Sequence, residues 1–444
     1  MFKKNFKVNI VMLLVLTLFV AGSAHVFGKT DARQGDPQIT LDFWVGGGNR
    51  NVIGYDSPNH GDYERAKARE FEALYPNVKV NVEVISFNDI EQKVNIAVAG
   101  NNPPDIIYDN VPNRIMRHAR NGEMEPLEEV VSAELHDWKK DYLAMGTYDG
   151  VLYGIPVSST PTMMFINKTI FERKGVAHLI PEDRTWTWEE WEEAMIAVSD
   201  NRTYGTAFHA LNEQADQLMV CYLLGAGSEW LSDDLSEYLI NSPEGVEALE
   251  FMVNLIDRGV VARGPASMAP GDALELFQQG RVATLQYVPA VYERVAAAIK
   301  TGAADPSIQL YGVIPPTKEG VTPTLTITGE DGFALFKQDD PYKKEMAIQF
   351  IKHMTDSESL KALNQSTLKV PARYSSAYEI EDPEISTIMS KLGEYPVLDI
   401  GKRLEKYPDT RQMFYPELQA AFLKVKTPKQ ALDSFVRKAN ELIK

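Results

Sequence analysis

The sequence predicts an α/β fold whose first part forms a parallel sheet. Residues 39–45 and 78–84 alternate apolar and polar side chains with a period of two, which is typical of half-buried strands. Residues 63–74, between them, carry apolar side chains at helical spacing. A second helix (90–99) and a short buried strand (105–108) complete a strand–helix–strand–helix–strand order. This order indicates a parallel sheet covered by helices.

Local signals set the bounds of these elements. Pro76 stops the first helix, because proline cannot continue a helix. The run Gly100-Asn-Asn-Pro-Pro predicts a loop before the third strand. Ligands of α/β sheets bind at the carboxyl ends of the strands, so the residues after the first and third strands are candidates for a site.

The second part of the chain is rich in helices. Three helix starts carry capping or proline signals: Thr187 with Glu190, Thr355 with Glu358, and Thr427 with Pro428. Trp186, Trp188 and Trp191 surround the first of these starts. We interpret these tryptophans as core packing rather than as a ligand cage, because they recur with other apolar residues on one helix face.

The composition is that of a globular protein with more than one domain. The chain has 444 residues, of which 44% are hydrophobic and 24% are charged. At roughly 100–200 residues per domain, this length predicts two or three domains. The formal net charge of −17 argues against nucleic-acid binding, which requires clusters of Lys and Arg that face phosphates.

The N-terminus predicts export. A lysine-rich start precedes an apolar run at 8–24 that ends in small residues, which is the pattern of a cleaved signal peptide over residues 1–24. Cleavage after Gly28 and a retained membrane anchor are the alternatives. Cys221 is the single cysteine and lies far from this run, so we expect neither an intrachain disulfide nor a lipid attachment. A soluble protein of the periplasm is therefore expected.

The chain lacks the motifs of common catalytic and metal sites. The glycines at 46–48 follow a strand without a phosphate-loop pattern, so we interpret them as backbone that passes close to a ligand. The 7 histidines are scattered and show no zinc-ligand spacing. Carboxylate pairs such as Glu128/Glu129 are typical of solvated faces, although a glycosidase pair stays open. No metal or cofactor is predicted.

Aromatic and polar residues near strand ends are the better candidates for a site. They are Trp44 at the first strand, Tyr108, Asp109 and Asn110 at the third, and Tyr287 after a later apolar strand. Sugars stack their apolar faces on aromatic rings, each worth about 1 kcal/mol beyond burial, and their hydroxyls bond to Asp, Asn and Arg. We therefore expect Trp44 and Tyr287 to hold a sugar ring between them. Core packing is the alternative role of each aromatic.

The segment DGVLYGIPVSSTPTMMFINKTIFERKG, at 149–175, predicts a crossing between two lobes. A glycine turn, an extended stretch with hydroxyls at 158–160, an apolar strand at 163–166 and a helix start follow one another. Hydroxyls on a kinked backbone suit a place where a small polar ligand binds. An ordinary strand–turn–helix unit is the alternative.

This segment resembles the corresponding segment of the extracellular solute-binding proteins of ABC importers, family 1. Other segments resemble landmarks of that family, in the same order and over nearly the whole mature chain: DFW at 42–44, FEALYPNVKVNVEV at 71–84, GNNPPDII at 100–107, FQQGRVATL at 277–285 and GFALFKQDDPYKKEMAIQFIKHMTDSES at 332–359. Segments similar to those of its glycerol-3-phosphate-binding members are SSTP at 158–161, RLEKYPDTR at 403–411 and KTPKQALDSFVRKANELI at 426–443.

The resemblance implies a two-lobed periplasmic-binding-protein fold of the α/β class, type II-like, with three chain crossings. One lobe would comprise 38–155 and 331–366, and the other 156–330 and 367–444. The lobes would close by a hinge on a ligand, and the membrane permease of an ABC importer would recognise the closed form. A monomer without a chemical step is expected.

The resemblance also implies that Ser159 and Arg403 contact the ligand. We predict Thr160, Gly329 and Glu330 as further ligand contacts. The chain departs from the glycerol-3-phosphate pattern elsewhere, since Ile90 stands where that pattern has Tyr and the serine near 288 is lost. These departures favour a mono- or oligosaccharide as the ligand. Glycerol-3-phosphate or a glycerophosphodiester is the alternative ligand, and a secreted carbohydrate-active enzyme is the alternative from another class.

Overall fold

The computed structural model describes residues 37–444 apart from Asn88, Asp399, Lys402 and Arg403. The predicted signal peptide therefore lies outside the described residues. The strands are β1 (Ile39–Gly46), β2 (Val78–Ile85), β3 (Ile106–Asn110), β4 (Thr147–Tyr148), β5 (Val151–Leu152), β6 (Gly154–Pro156), β7 (Ser158–Pro161), β8 (Met163–Asn167), β9 (Tyr204–Thr206), β10 (Val282–Tyr287), β11 (Leu310–Val313), β12 (Leu325–Thr328), β13 (Asp331–Leu335), β14 (Val370–Pro371) and β15 (Val397–Leu398).

The helices cover the sheets and connect their strands. The α-helices are α1 (Asp62–Leu74), α2 (Ile90–Ala99), α3 (Met116–Arg120), α4 (Glu128–Val131), α5 (Lys140–Met145), α6 (Lys168–Lys174), α7 (Trp188–Val198), α8 (Ala215–Leu218), α9 (Val220–Leu224), α10 (Pro243–Asp257), α11 (Pro270–Gln278), α12 (Val291–Thr301), α13 (Pro341–Met354), α14 (Ser357–Thr367), α15 (Pro383–Leu392), α16 (Tyr407–Phe422) and α17 (Pro428–Ile443). A π-helix lies at Val111–Ile115, and 3-10 helices lie at Ser132–Asp137, Ala177–Leu179 and Pro265–Ser267.

The first sheet belongs to the N-terminal lobe and has the strand order β2-β1-β3-β13-β6. β1 pairs in parallel with β2 and β3, so that Phe43 lies opposite Val82 and Ile106. The predicted strand–helix–strand–helix–strand order is thereby confirmed. β13 is antiparallel to β3 and β6. The sheet is therefore mixed rather than purely parallel, because the chain enters β13 from the opposite end after it returns from the second lobe.

Buried clusters cover both faces of this sheet. Phe43 packs with Phe350 of α13 in the larger cluster, which we call the N-terminal core. Trp44 points to the other face and packs against a smaller cluster that includes Ile90 and Ile107. This division follows from the period of two in a strand, where successive side chains point to opposite faces.

The second sheet belongs to the C-terminal lobe and has the order β11-β8-β10-β9. β8 is antiparallel to β10 and β11, and it contains the predicted apolar strand 163–166. Trp186, Trp188 and Trp191 are 5%, 5% and 0% exposed and belong to the buried cluster that we call the C-terminal core. Trp188 stacks on Phe251 with 4.4 Å between ring centroids. The predicted packing role of the three tryptophans is confirmed.

The described chain passes between the two cores three times. Each crossing joins a residue of the N-terminal core to one of the C-terminal core, namely Val157 to Met163, Leu325 to Phe333, and Ala372 to Ile388. The strands β7, β12 and β14 lie in or beside these crossings and form a third sheet, β14-β7-β12-β15. Val157 and Ala372 pack in the N-terminal core just beyond the predicted bounds at 155 and 366. The division of the whole chain into lobes stays a prediction.

Helix starts follow the local sequence, with an exception. The starts of α7 and α17 carry the predicted caps at Thr187 and Thr427, each in a capping box. The predicted box of Thr355 with Glu358 is wrong, because Asp356 is the N-cap of α14 and accepts a hydrogen bond from the backbone N–H of Ser359 at 2.7 Å. A carboxylate one residue later is the stronger acceptor for these N–H groups. The described helices include none with the length and apolar character of a membrane span.

Candidate functional site

A cleft of about 450 Å³ lies between the lobes. Its N-terminal wall follows the carboxyl ends of β1, β2 and β3, its C-terminal wall follows β10 and includes α16, and the crossing strands lie between the walls. The lining residues are Gly46, Gly48, Asn49, Arg50, His60, Phe87, Tyr108, Asn110, Asn113 and Arg114; then Thr160, Thr328, Gly329, Asp331, Thr367 and Lys369; then Glu213, Gln214, Gln217, Val288, Ala290, Glu293, Arg294, Tyr407 and Arg411. This is the position at which α/β sheets present ligand sites.

The glycine loop after β1 forms one end of the N-terminal wall. Gly47 and Gly48 have φ values of 72° and 61°, in the left-handed region that favours glycine. A Cβ on Gly47 would lie 2.2 Å from the ring of Phe87. Asn49 holds the loop in place, since its Nδ2 donates to buried Glu64 at 2.7 Å. The backbone therefore passes directly beside the cleft, and the predicted approach to a ligand stays a prediction.

The π-helix after β3 places polar side chains along the same wall. Asn113 and Arg114 both lie in this helix and line the cleft. Asn113 is 9% exposed, and its Oδ1 accepts no hydrogen bond from any described residue. A buried amide oxygen without a protein donor is satisfied by a ligand or a water, so this oxygen is available to a ligand hydroxyl.

Asp109 lies behind this wall rather than on it. It is 1% exposed, and its Oδ1 lies 2.7 Å from Nη1 of Arg114. Burial raises the pKa of Asp109 to about 6, while the positive charge of Arg114 opposes that shift. The structure places Asp109 where it orients Arg114, and the direct ligand contact that the sequence predicted for Asp109 stays a prediction.

Arg411 is the most constrained cation of the C-terminal wall. Its Nε and Nη2 donate to the two carboxylate oxygens of Asp216 at 3.1 and 2.9 Å, and Nη2 also donates to the Glu213 carbonyl at 3.2 Å. Burial by itself would lower the pKa of Arg411, but the attractions of Asp216, Tyr407 and Glu213 together outweigh burial and raise it. Among the described residues no acceptor binds the Nη1 hydrogens, which leaves them for a ligand oxygen.

Tyr407 contacts both members of the Asp216–Arg411 pair and helps to fix its geometry. Its hydroxyl donates to Asp216 at 2.6 Å, and its ring centroid lies 5.2 Å from the guanidinium carbon of Arg411. Burial raises the pKa of Tyr407 well above its usual range, so the hydroxyl keeps its proton. The guanidinium is thus held by a carboxylate on one edge and by an aromatic ring on one face.

The crossing strands add hydroxyls and a further cation. Thr160 of β7 lies opposite Thr328 of β12, and both line the cleft. Gly329 has a φ of 65°, and a Cβ there would lie 3.3 Å from the hydroxyl oxygen of Thr160. Nζ of Lys369 lies 3.0 Å from Oδ2 of Asp331. A ligand in the cleft would therefore contact the hinge strands as well as both walls.

The structure brings part of the predicted site together. The predicted residues on the lining are Tyr108, Asn110, Thr160 and Gly329. Ser159 is 6% exposed and its hydroxyl lies 2.6 Å from that of Tyr142, while Glu330 is fully buried. Arg403 lies outside the described residues. For each of these residues, contact with a ligand stays a prediction.

Trp44 and Tyr287 are not among the residues that line this cleft, and the platform they were expected to form stays a prediction. Trp44 faces the smaller cluster, where Nζ of Lys93 lies 4.5 Å from its ring centroid. Tyr287 is 9% exposed in the C-terminal core, and its hydroxyl accepts a hydrogen bond from Arg294 at 3.0 Å. Phe87 is 49% exposed and offers an aromatic face on the lining instead.

Sequence reasoning missed Arg411 although it singled out the segment that contains it. Within RLEKYPDTR it chose the first arginine, Arg403, and not the last. Tyr407 and Arg411 are four residues apart on α16, so they share one helix face. That spacing could have pointed to Arg411 from the sequence alone. The partner carboxylate of Asp216 lies 195 residues away in the chain and carries no such signal.

A wider depression of about 830 Å³ lies on the C-terminal lobe alone. Its lining comes mainly from residues 178–193 and 317–323. It includes neither the N-terminal wall nor the crossing strands, so a ligand there would not join the lobes. The cleft between the lobes is therefore the candidate site.

The family of bacterial extracellular solute-binding proteins matches residues 66–387. This chain belongs to that family. The matched range includes cleft residues of both walls and of the first two crossings.

Named relatives cover different shares of the chain. A binding protein of Brucella abortus is 24% identical over 260 residues, which span 57% of this chain and 62% of that relative. The diacetylchitobiose-binding protein of Streptomyces coelicolor is 22% identical over 347 residues, 78% of this chain and 76% of its own. The sn-glycerol-3-phosphate-binding periplasmic protein of Agrobacterium fabrum is 24% identical over 349 residues, 73% of this chain and 76% of its own.

Solved structures share the fold. A solute-binding protein of an ABC transporter from Thermotoga lettingae, bound to α-D-tagatose, superposes with a TM-score of 0.75 at 20% identity, over 91% of this chain and 100% of its own. A Mycobacterium tuberculosis protein in complex with glycerophosphocholine superposes with a TM-score of 0.73 at 17% identity, over 92% of this chain and 98% of its own. The two-lobed fold that the sequence predicted is confirmed.

Proposed function

We propose that this solute-binding protein is the extracytoplasmic substrate-binding subunit of an ABC importer and captures a carbohydrate between its lobes. The observation that carries the proposal is a polar cleft lined by both lobes, at strand ends, in a chain of this family. Its hydroxyl, amide and guanidinium groups suit sugar hydroxyls, and the exposed ring of Phe87 suits an apolar sugar face.

Closure of the lobes would couple binding to transport. A ligand that contacts both walls only in the closed form favours that form. Nδ2 of Asn51 already lies 3.5 Å from Oε1 of Glu293 across the mouth of the cleft. The permease subunits would then recognise the closed monomer, and no chemical step is required.

Glycerol-3-phosphate or a glycerophosphodiester is a second candidate ligand. The names of the Agrobacterium relative and of the ligand in the Mycobacterium structure favour it, as does the forked guanidinium of Arg411. Against it, Arg114, Lys369 and Arg411 are each bonded to a carboxylate, so they contribute little net charge for a phosphate. This balance supports a hydroxyl-rich ligand in the depth of the cleft.

Titration calorimetry of the purified mature protein tests the proposal. The panel would contain mono- and oligosaccharides, sn-glycerol 3-phosphate and glycerophosphocholine. We expect stoichiometric binding of a carbohydrate without product, and a stabilisation of about 2.7 kcal/mol at 100 times the Kd. If only the phosphate compounds bind, the ligand is a phosphate ester and not a carbohydrate. If a glycoside is turned over, the protein is a secreted carbohydrate-active enzyme and not a binding protein.

We also propose export through a cleaved signal peptide to the periplasm. The lysine-rich start and the apolar run at 8–24 support it. Mass spectrometry of the exported protein should find an N-terminus at His25 or Lys29. An intact chain from Met1 in the membrane fraction would contradict this proposal.

A further inference from the structure

The first turn of α12 brings side chains of the C-terminal lobe to the mouth of the cleft. Ala290, Glu293 and Arg294 line the cleft. Oε1 of Glu293 lies 3.5 Å from Nδ2 of Asn51 in the N-terminal lobe, so this turn stands where the two lobes meet. The position of the turn therefore decides where its side chains stand relative to a bound ligand.

This turn depends on anchors outside its own helix. The helix begins after Ala290, whose side chain has no oxygen that could cap the free N–H groups of the helix start. Val291 and Val295 are buried in the C-terminal core and hold one side of the helix. Tyr292 packs edge to face on Phe165 of β8, with 5.2 Å between the ring centroids. The hydroxyl of the same tyrosine adds a further anchor.

That hydroxyl donates to Oε1 of Glu384 at 3.3 Å. Glu384 lies in the first turn of α15, toward the end of the third crossing. Its Oε1 also accepts a hydrogen bond from the backbone N–H of Gly312 at 2.9 Å, and its two oxygens bind Nη1 and Nη2 of Arg184 at 2.8 and 2.6 Å. One carboxylate therefore joins α12, β11, α15 and the loop before α7.

The carboxylate of Glu384 is itself held in a defined position. Its partner Arg184 is 8% exposed, donates from Nη1 to the Gly312 carbonyl at 2.7 Å, and has its guanidinium carbon 4.2 Å from the ring centroid of Tyr311. A Cβ on Gly312 would lie 2.8 Å from the hydroxyl oxygen of Tyr292, so glycine leaves room for that hydroxyl. A forked guanidinium–carboxylate pair has a fixed geometry, which makes Glu384 a firm acceptor for Tyr292.

We propose that Glu384 is a positioning residue of the binding site, which holds the first turn of α12 through the Tyr292 hydroxyl and so sets where Glu293 and Arg294 stand at the mouth of the cleft. This inference rests on the proposed function. A turn that is fixed before binding loses less conformational entropy when a ligand binds. Glu384 therefore contributes to affinity although it does not line the cleft.

Tyr292→Phe removes this anchor with a small change, since it keeps the ring and deletes the hydroxyl. Calorimetry with the tightest-binding compound of the panel of sugars, sn-glycerol 3-phosphate and glycerophosphocholine should show a loss of affinity of at least about threefold. Tyr311→Phe is the matched control in the same lobe. Its hydroxyl donates to the carbonyls of Pro181 and Glu182 at 3.1 and 3.3 Å, away from α12, so this variant should bind like the wild type.

Glu384→Gln separates the anchor from the ion pair. Glutamine keeps Oε1 as an acceptor for Tyr292 but loses the charge that Arg184 binds. We expect a larger fall in melting temperature than in Tyr292→Phe, because a nearly buried arginine is left without its carboxylate, but an affinity within about twofold of the wild type. Glu384→Ala should lose as much affinity as Tyr292→Phe. Combining these two changes should cost no further affinity, because both remove the same hydrogen bond.

Hydrogen exchange of the unliganded protein measures how firmly α12 is held without any ligand. Peptides of α12 should exchange faster in Tyr292→Phe than in the wild type or in Tyr311→Phe. Unchanged exchange, or wild-type affinity in Tyr292→Phe, would overturn the inference and leave the proposed function standing. Equal losses of affinity in Tyr292→Phe and Tyr311→Phe would overturn it as well. Absence of binding to every compound of the panel would instead remove the proposed function, on which the inference rests.

Discussion

At the scale of single residues, the cleft is built from side chains whose orientation is set by buried partners. Arg411 is held by Asp216 and Tyr407, and Arg114 is held by Asp109. Fixed side chains lose little conformational entropy when a ligand binds, so each hydrogen bond contributes more to affinity. We therefore expect the buried carboxylates to influence binding although they do not line the cleft.

Arg411→Lys tests the role of the forked guanidinium. Lysine keeps the positive charge beside Asp216 but cannot present two parallel N–H groups, so we expect ligand binding to weaken by about 1.5–3 kcal/mol. Calorimetry with the best ligand of the panel measures this loss. Asp216→Asn is the companion variant, which should weaken binding through loss of orientation while Arg411 remains. Wild-type affinity in Arg411→Lys would exclude a ligand contact.

Phe87→Ala tests whether this ring is the aromatic platform. Because Phe87 is 49% exposed on the lining, its removal should cost little stability but about 1 kcal/mol of affinity for a sugar. Trp44→Ala is the matched control. It removes a partly buried ring that packs against the smaller cluster, and it should lower the free energy of unfolding by up to about 3 kcal/mol with unchanged affinity. The reverse result in the two variants would return the platform to Trp44.

At the scale of elements, the long periodic segments were predictable and the short ones were not. The alternation in β1 and β2 and the helical spacing of α1 and α2 depend on local burial, which the sequence shows directly. The hinge strand β14 has two residues, and its pairing partner Ser159 lies 211 positions away (370 minus 159). A strand that short has no detectable period. The cap of α14 was misplaced by one residue because Thr355 and Asp356 both carry a capping oxygen.

Gly329→Ala tests the crossing after β12. Alanine is strained at a φ of 65°, and its Cβ would lie 3.3 Å from the Thr160 hydroxyl in the cleft. We expect a loss of stability of about 1 kcal/mol together with weaker ligand binding. Gly302→Ala is the control, because Gly302 has a φ of 75° but no atom within 4 Å of the added Cβ. It should show the same loss of stability with wild-type affinity, and equal affinities in both variants would exclude Gly329 from the site.

At the scale of the whole molecule, three crossings join two separate cores and leave a cleft that neither lobe forms alone. The members of its lining range from Gly46 to Arg411 along the chain. Local patterns predicted that strand ends would meet there, and Tyr108 and Asn110, predicted on that ground, do line the cleft. Asn113 and Arg411 come from opposite walls of the cleft, and no local pattern shows that the two walls face each other.

Approach of the lobes can be tested at the contact between Asn51 and Glu293. Asn51→Asp would place two carboxylates where the amide and carboxylate now lie 3.5 Å apart, so closure would bring like charges together. Asn51 has a φ of 53°, which aspartate tolerates, so the change should not strain the loop. Because the pair is exposed, we expect affinity to fall by about 0.5–1 kcal/mol at low salt and to recover as salt screens the repulsion. Small-angle scattering of the liganded variant should show a smaller compaction than in the wild type. Adding Glu293→Gln should restore both affinity and compaction, whereas a loss that persists in this double variant would show that closure does not pass through this contact.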